Sequence, residues 1–187
     1  MDYHKYQEYV KVRDLAWEIL IKEGIQELPI KTVRLCRQMG ITVKLSAELD
    51  TGGKSTILEN RAIILIKADD SPERQRFSTM HELGHILLGH VGKYRLVCRE
   101  PSPTDNPIET AANRFAARIL APACVLWGCN VQSAEEIAKL CKISMPAARF
   151  RMERMRELYT RQKFLSSPLE RQVYEQFKLY IDNNKIR

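Results

Sequence analysis

Apolar and polar positions alternate with the period of a helix at the beginning of the chain. Residues 3–23 predict an amphipathic helix, since their aromatic and aliphatic side chains recur at intervals of three or four residues. Gly24 follows as a stop signal. A second helix is expected to begin at Pro29 and to end at Gly40. The first part of the chain is therefore predicted to be helical.

The pattern then changes to the two-residue period of β-strands. Residues 41–45 alternate as a half-buried strand would. Residues 54–59 and 61–67 predict a hairpin that turns near Asn60. The second of these segments contains an uninterrupted apolar run, so we expect it to be an inner strand. The first has charged ends, which favour the edge of a small sheet.

Helical signals return after the sheet. Ser71 and Pro72 are a favourable N-cap and first-turn residue for a helix that runs to about Gly89. Residues 91–107 contain three prolines and predict a long surface loop. Another helix is expected over residues 106–120. Further helices are predicted at about residues 133–141 and 145–160 and after residue 168.

Together these elements predict an α+β fold that is mostly helical with a small three-stranded sheet. We expect one region to span residues 1–128 and a C-terminal helical region to span residues 129–187. Residues 137–148 of the second region resemble a helix-turn-helix. The helix that follows carries Arg151 and Arg154 among several arginines, which could contact DNA phosphates or dock a protein substrate. We prefer packing or docking, because interleaved glutamates also make ordinary helix pairs.

The composition is that of a soluble globular protein. The chain has 187 residues, of which 44% are apolar and 28% are charged. No apolar run is long enough for a secretory signal or a membrane span, so we expect a cytoplasmic protein without a membrane partner. The five cysteines are scattered, and an odd number cannot all form disulfides within the chain, so we expect reduced thiols. Cys124 and Cys129 lack a second pair for a metal site, and core packing is the preferred interpretation.

The excess of positive charge lies at the C-terminal end. The net charge is +7, and residues 149–187 hold ten lysines and arginines against five acidic residues, a difference of five. Such a bias is typical of an acidic partner, nucleic acid included, or of a solvated basic helical face. Both interpretations remain open at this point, with the solvated face preferred.

The segment His-Glu-Leu-Gly-His at residues 81–85 carries the most specific chemistry. His81 and His85 are four residues apart on a predicted helix, so their directions differ by only about 40° and they can bind one ion. Neutral imidazoles suit Zn²⁺, while Glu82 can hold a water molecule instead of the metal. This is the H-E-x-x-H arrangement of zinc peptidases. We therefore predict one zinc ion per chain.

A catalytic zinc ion needs a third protein ligand. His90 lies off the ligand face if the helix continues, and we treat it as a helix-end residue. Glu109, in the first turn of the next predicted helix, is the preferred candidate, although it could instead complete a cap with Asn106. Asn113 follows one turn later and is placed to accept a hydrogen bond from the outer nitrogen of a ligating histidine.

Two stretches resemble the ImmA/IrrE family of metallopeptidases. Residues 76–85 read Arg-Phe-Ser-Thr-Met-His-Glu-Leu-Gly-His, and residues 109–122 begin Glu-Thr-Ala-Ala-Asn-Arg-Phe-Ala-Ala-Arg. The resemblance supports Glu109 as the third ligand. It implies a gluzincin-like core of helices around a three-stranded sheet. It also implies a zinc-dependent endopeptidase that cleaves a helix-turn-helix transcriptional repressor, relieving repression of a phage, a mobile element or a stress regulon.

In such a peptidase Glu82 would act as the general base, taking the proton of the attacking water and passing it to the leaving amine. Tyr94 and Arg95, in the loop after the helix, are the candidate donors to the oxyanion. The alternative is a non-catalytic zinc-containing regulator that binds DNA. A housekeeping peptidase of broad specificity is a further rival. Broad specificity would be dangerous in the cytoplasm, so we expect a narrow substrate or tight control instead.

We also expect the substrate to bind in an extended form. A peptide segment would pair with the edge strand at residues 54–59, and a folded repressor would dock on the C-terminal helices. The candidate contact residues are Lys54, Thr56, Ile57, Arg151 and Arg154.

Overall fold

The computed structural model of the chain describes residues 3–91 and 106–186. Within these ranges the elements are α1 (Tyr3–Lys22), α2 (Thr32–Gln38), β1 (Thr42–Ser46), β2 (Gly53–Leu58), β3 (Arg61–Lys67), α3 (Pro72–Leu87), α4 (Pro107–Leu120), α5 (Ala123–Gly128), α6 (Ala134–Cys141), α7 (Met145–Thr160), α8 (Pro168–Gln176) and α9 (Lys178–Asn183). The predicted mostly helical α+β fold with one three-stranded sheet is confirmed. Of the helices in the described ranges, none is both long and apolar enough to cross a membrane.

The chain forms two compact units. Of the described residues, the first contains 3–12, 31–91 and 106–116, and therefore the sheet, α2, α3 and most of α4. The second contains residues 13–30 and 117–186, and therefore α5 to α9. The division at residue 128 that the sequence suggests follows the order of the chain, and it stays a prediction.

The sheet has the strand order β1-β3-β2, with β1 parallel and β2 antiparallel to the central strand. β3 is the central strand, as the apolar run predicts; its Ile64 and Ile66 are buried, and the residues between and beside them are partly exposed. Glu59 and Asn60 form the two-residue turn of the hairpin with φ angles of 48° and 60°. Such left-handed angles match the twist of the flanking strands. In the described part of the chain β2 pairs only with β3, so it is an edge strand, as predicted.

Helix α3 packs on β2 and β3 within the first unit. Its start is fixed by Ser71, whose side chain accepts a hydrogen bond from the backbone N–H of Arg74. The side-chain amide of Gln75 donates to the backbone carbonyls of Lys67 and Ala68, at 3.1 and 2.8 Å. These bonds join the first turns of α3 to the end of β3 and so set the position of the later turns.

Some boundaries differ from the prediction. Helix α2 is shorter than the expected segment from Pro29 to Gly40. The sequence pattern predicts no helix between residues 120 and 133, but α5 begins directly after Pro122, because proline is compatible with the start of a helix. The helix expected after Pro168 is two helices, α8 and α9, which meet at the buried Phe177.

Candidate metal centre

Helix α3 places two histidines one turn apart. The Nε2 atoms of His81 and His85 are 2.9 Å from each other, so both rings direct the same nitrogen to one point. His85 is buried, and the side chain of His81 is 15% exposed. Two neutral imidazole nitrogens that converge in this way can bind one metal ion.

Helix α4 supplies the third group. In its first turn Glu109 directs one carboxylate oxygen to each histidine, with Oε2 3.2 Å from Nε2 of His81 and Oε1 3.3 Å from Nε2 of His85. The start of α4 is capped separately, since Oδ1 of Asn106 accepts a hydrogen bond from the backbone N–H of Ile108 at 3.0 Å. The carboxylate of Glu109 therefore belongs to the histidine cluster and not to the cap.

The spacing of these atoms fits a metal ion. Nitrogen and oxygen ligands at 2.0–2.2 Å from a tetrahedral zinc ion lie roughly 3.4 Å apart. The two distances from Glu109 to the histidines, 3.2 and 3.3 Å, are close to this value, and the distance of 2.9 Å between the histidines is shorter. In the structure Oε1 of Glu109 is buried and makes no hydrogen bond within the described residues, as expected for an oxygen that faces a metal. Within the described ranges one group of at least three potential ligands comes together, formed by His81, His85 and Glu109. Cys124 and Cys129 belong to no such group there.

The outer nitrogens of both histidines have partners. Nδ1 of His81 lies 2.8 Å from Oδ1 of Asn113, one turn after Glu109 on α4. Nδ1 of His85 lies 3.0 Å from Nδ1 of His90, just beyond the end of α3. When Nδ1 of each ligand carries the proton and donates it, Nε2 keeps its lone pair for the metal. Both contacts therefore hold the ligand rings in the orientation that metal binding needs.

Burial and the charges within the cluster shift the pKa values of its members. Burial alone would lower the pKa of His81, but the hydrogen bond to Glu109 and the charges of Glu82 and Glu109 outweigh it, so this pKa is raised. Close contacts with the ring nitrogens of His81 and His85 lower the pKa of Glu109 to about 2. Burial, followed by the charge of His85, lowers the pKa of His90 to about 4. His90 is therefore neutral near pH 7 and can accept a hydrogen bond.

Glu82 lies beside this cluster without belonging to it. The residue is 3% exposed, and its Oε2 accepts a hydrogen bond of 2.6 Å from the hydroxyl of Ser55 on β2. Strand β2 passes close to it, since a Cβ on Gly53 would lie 3.0 Å from Cγ of Glu82. A buried carboxylate next to metal ligands, with one oxygen already fixed, can accept a proton from a water molecule at the site.

The free edge of β2 lies next to Glu82. The backbone N–H of Lys67 donates to the carbonyl of Gly52 at 3.2 Å, which marks this pair as hydrogen-bonded. Because such pairs alternate along an antiparallel ladder, every second residue of β2 directs its backbone groups away from β3. The outward set is Gly53, Ser55 and Ile57.

The remaining predicted residues have different environments. Lys54 and Ile57 are exposed on β2, and Thr56 is partly buried between them. Tyr94 and Arg95, the candidate oxyanion donors, lie outside the described residues. Their role stays a prediction.

The two arginines of α7 differ from each other. Arg151 is only 9% exposed, and its Nε donates a hydrogen bond of 2.8 Å to the backbone carbonyl of Ala121. Its side chain is thus part of the packing of the second unit, which argues against direct contact with a substrate. Arg154 is more accessible and forms an ion pair with Glu157. Arg154 remains the better candidate for docking.

For three residues near the site, the sequence predicts no contact with the site. Ser55 and Gly53 reach Glu82 through the pairing of β2 with β3, and nothing in the local pattern of the strand signals this contact. His90 carried a signal, because a third histidine five residues after His85 is unusual. The helical geometry argued against it, but the chain leaves the helix at Gly89, where φ is 72°, and turns the ring of His90 back toward His85.

Two histidines one turn apart, a glutamate from the following helix that could complete a metal site, and a separate buried glutamate are the arrangement of metallopeptidases. The chain belongs to peptidase family M78, the IrrE N-terminal-like domain, whose match covers residues 36–153. All the residues of the metal centre lie within this range. The resemblance to the ImmA/IrrE family is thereby confirmed.

Comparison with individual proteins agrees with this assignment. The chain is 36% identical over 95 residues to the radiation response metalloprotease IrrE of Deinococcus radiodurans, a match that covers 46% of this chain and 29% of the relative. The match therefore spans less than a third of the relative's length. The fold is similar to that of a transcriptional regulator from Mycobacterium tuberculosis, with a TM-score of 0.54 and 16% identity over 74% of this chain and 46% of the other. At that identity the similarity concerns the fold alone.

Proposed function

We propose that the chain is a zinc-dependent endopeptidase that cleaves a helix-turn-helix transcriptional repressor. The observation that carries the proposal is the position of Glu82, a buried carboxylate beside His81, His85 and Glu109 but outside the ligand cluster. A metal site that served only to stabilise the fold would gain nothing from a second buried carboxylate. In hydrolysis, by contrast, this group has a defined task.

Each residue of the site has its own proposed role in peptide hydrolysis. His81, His85 and Glu109 would bind one zinc ion, which supplies polarisation of the scissile carbonyl group and a water molecule of lowered pKa. Glu82 accepts the proton of the attacking water and passes it to the leaving amine. Asn113 holds the ring of His81 through its outer nitrogen.

The open edge of β2 supports binding of an extended substrate. A peptide that pairs with the outward backbone groups of Gly53, Ser55 and Ile57 would lie next to Glu82, which contacts two of these residues. Because backbone pairing depends little on side chains, recognition of the folded repressor would come from elsewhere, and Arg154 is a candidate contact. Cleavage would relieve repression of a phage or mobile element. The name of the relative, a radiation response metalloprotease, supports a stress regulon as the alternative target.

The first experiment separates the base from the ligands. In purified Glu82→Gln protein we expect about one zinc ion per chain and a loss of repressor cleavage by several orders of magnitude, since only proton transfer is removed. Glu109→Ala should lose zinc. The assay is elemental analysis together with cleavage of candidate helix-turn-helix repressors from the same genome. Parental cleavage by Glu82→Gln would refute the peptidase proposal, and full zinc in Glu109→Ala would remove Glu109 from the site.

The second experiment tests the edge strand. Proline at Ile57 removes a backbone donor that points outward, so it should reduce cleavage about 2- to 10-fold while the sheet is retained. Proline at Thr56 removes a donor that faces β3 and should lower the stability of the hairpin instead. Circular dichroism and zinc content identify the well-folded variants. If folded Ile57→Pro protein cleaves the repressor at the parental rate, substrate does not pair at this edge.

A second candidate function is a non-catalytic, zinc-containing regulator that binds DNA. The arrangement of α6 and α7 favours it, since a short turn with Lys142 in the left-handed region joins them and Ser144 caps the second helix. The proposals differ in what Glu82→Gln does. Under the regulator proposal this variant binds DNA and controls its target as the parent does, and no cleaved repressor is found with either protein.

A further inference from the structure

Ser55 joins the free edge of the sheet to the candidate general base. Its hydroxyl donates to Oε2 of Glu82 at 2.6 Å, across 27 positions of sequence. We propose that Ser55 is a positioning residue, which fixes the carboxylate of Glu82 for proton transfer and makes that position depend on substrate bound along β2. The inference rests on the proposed peptidase function and adds a residue to it.

The first support is the confinement of the glutamate. Glu82 is 3% exposed, so its carboxylate has little freedom to find solvent partners. A charge-assisted hydrogen bond of this length is strong and directional. It engages Oε2 and thereby sets the rotation of the carboxylate, which determines where Oε1 points. The absence of a side chain at Gly53 leaves the space that this rotation needs, since a Cβ there would lie 3.3 Å from Oε1.

The second support is the orientation of Ser55 itself. Its side chain points to Glu82, while its backbone N–H and C=O belong to the set directed away from β3. A peptide paired with β2 would therefore bond to the backbone of the residue whose side chain holds the base. Ordering of the edge strand by substrate would limit the motion of Ser55 and, through it, of Glu82. Binding and base orientation are then coupled through one residue.

A positioning role predicts a particular kinetic effect. Ser55→Ala should lower kcat roughly 10- to 100-fold, the equivalent of one hydrogen bond to a charged group, while KM changes little. Ser55→Cys has nearly the same size but is a poor donor, and it should behave like Ser55→Ala. Ser55→Thr keeps the hydroxyl and should recover most of kcat. Zinc content should equal that of the parent in all three, because Ser55 contacts no ligand.

The controls locate the effect. Thr42→Ala removes a hydroxyl from β1, at the opposite edge of the sheet, and should keep the parental kcat. Ser55→Ala in a Glu82→Gln background, measured in single turnovers, should reduce the residual rate far less than it reduces the parental rate, since Ser55 acts through the carboxylate. Thermal unfolding confirms that each variant is folded, and Ser55→Cys replaces Ser55→Ala if the latter is not.

The outcomes distinguish the two levels of the proposal. Parental kcat in folded Ser55→Ala or Ser55→Cys protein overturns the role of Ser55, while cleavage by the parent leaves the peptidase proposal standing. A rise in KM alone also overturns it, because Ser55 would then be only a substrate contact. If Glu82→Gln itself cleaves at the parental rate, the peptidase proposal fails.

Discussion

Replacing His90 with alanine should weaken zinc binding more than replacing Asn113. Each side chain is the partner of the outer nitrogen of one ligand, at 3.0 Å from His85 and 2.8 Å from His81. Loss of such a partner typically reduces metal affinity 10- to 100-fold. The two histidines differ in exposure, however, since the side chain of His85 is 3% exposed and that of His81 is 15% exposed.

This difference sets the order of the two effects. Water can replace Asn113 at the more exposed His81, so Asn113→Ala should cost about tenfold in the zinc dissociation constant. The N–H of the buried His85 has less access to water, and a buried unpaired donor costs about 1–3 kcal/mol. His90→Ala should therefore raise the zinc dissociation constant by about 100-fold, near the upper end of the 10- to 100-fold range. Competition with a chromophoric chelator at neutral pH measures both constants.

The matched control is His90→Asn, which keeps an acceptor in reach of His85 and should recover part of the affinity. Circular dichroism must show the same helix content in each variant. Parental affinity in His90→Ala would show that this residue only ends the helix, as the sequence suggests. A larger loss in Asn113→Ala than in His90→Ala would refute the argument from burial.

Three further predictions concern packing and reactivity. Gly53→Ala places a Cβ 3.0 Å from Cγ of Glu82, so the base should shift by a few tenths of an ångström and kcat should fall about tenfold at unchanged zinc content; an unchanged kcat would contradict the close contact. Gly128→Ala places a Cβ 2.8 Å from Cε2 of Tyr174, and denaturant titration should show a free energy of unfolding lower by about 1–3 kcal/mol. Burial, aided by the charge of a nearby glutamate, raises the pKa of Cys124 to about 12. Iodoacetamide at pH 8 should therefore leave this thiol unmodified until the protein is denatured, and peptide mass spectrometry would detect any exception.

The parts of the structure that the sequence predicts depend on local periodicity. His81 and His85 share a direction because a helix repeats every 3.6 residues, and the same rule places Asn113 one turn after Glu109. The apolar run of β3 predicts a central strand, which the strand order confirms, although only the alternate residues Ile64 and Ile66 are fully buried. In each case the structural reason lies within about one turn or one strand of the residues concerned.

The contacts that could not be predicted depend on register. Ser55 reaches Glu82 because it pairs with Ile64 in the hairpin, and a slip of one residue would turn Lys54 or Thr56 to that face instead. The sequence places the turn only near Asn60, which is not precise enough to choose between registers that differ by one residue.

The arginines of α7 show the same limit for a helix. Its sequence offers several arginines of similar spacing, and only the packing of the second unit shows that Arg151 is buried against the carbonyl of Ala121. Charge and periodicity alone describe the helix as a basic face. They cannot distinguish an arginine that contacts a partner from one that completes the core.

The H-E-x-x-H motif allows any residue at its fourth position, and the structure explains why residue 84 is a glycine here. A Cβ at Gly84 would lie 3.1 Å from Cδ1 of Phe115 and 3.3 Å from the backbone Cα of Ala112 on α4. Helix α4 also carries Glu109, so a side chain at residue 84 would move the third ligand away from the two histidines by a few tenths of an ångström. Ligand distances in metal sites are usually within about 0.2 Å of their typical values. The close approach of α3 and α4 at this glycine is therefore what allows one carboxylate to reach both histidines.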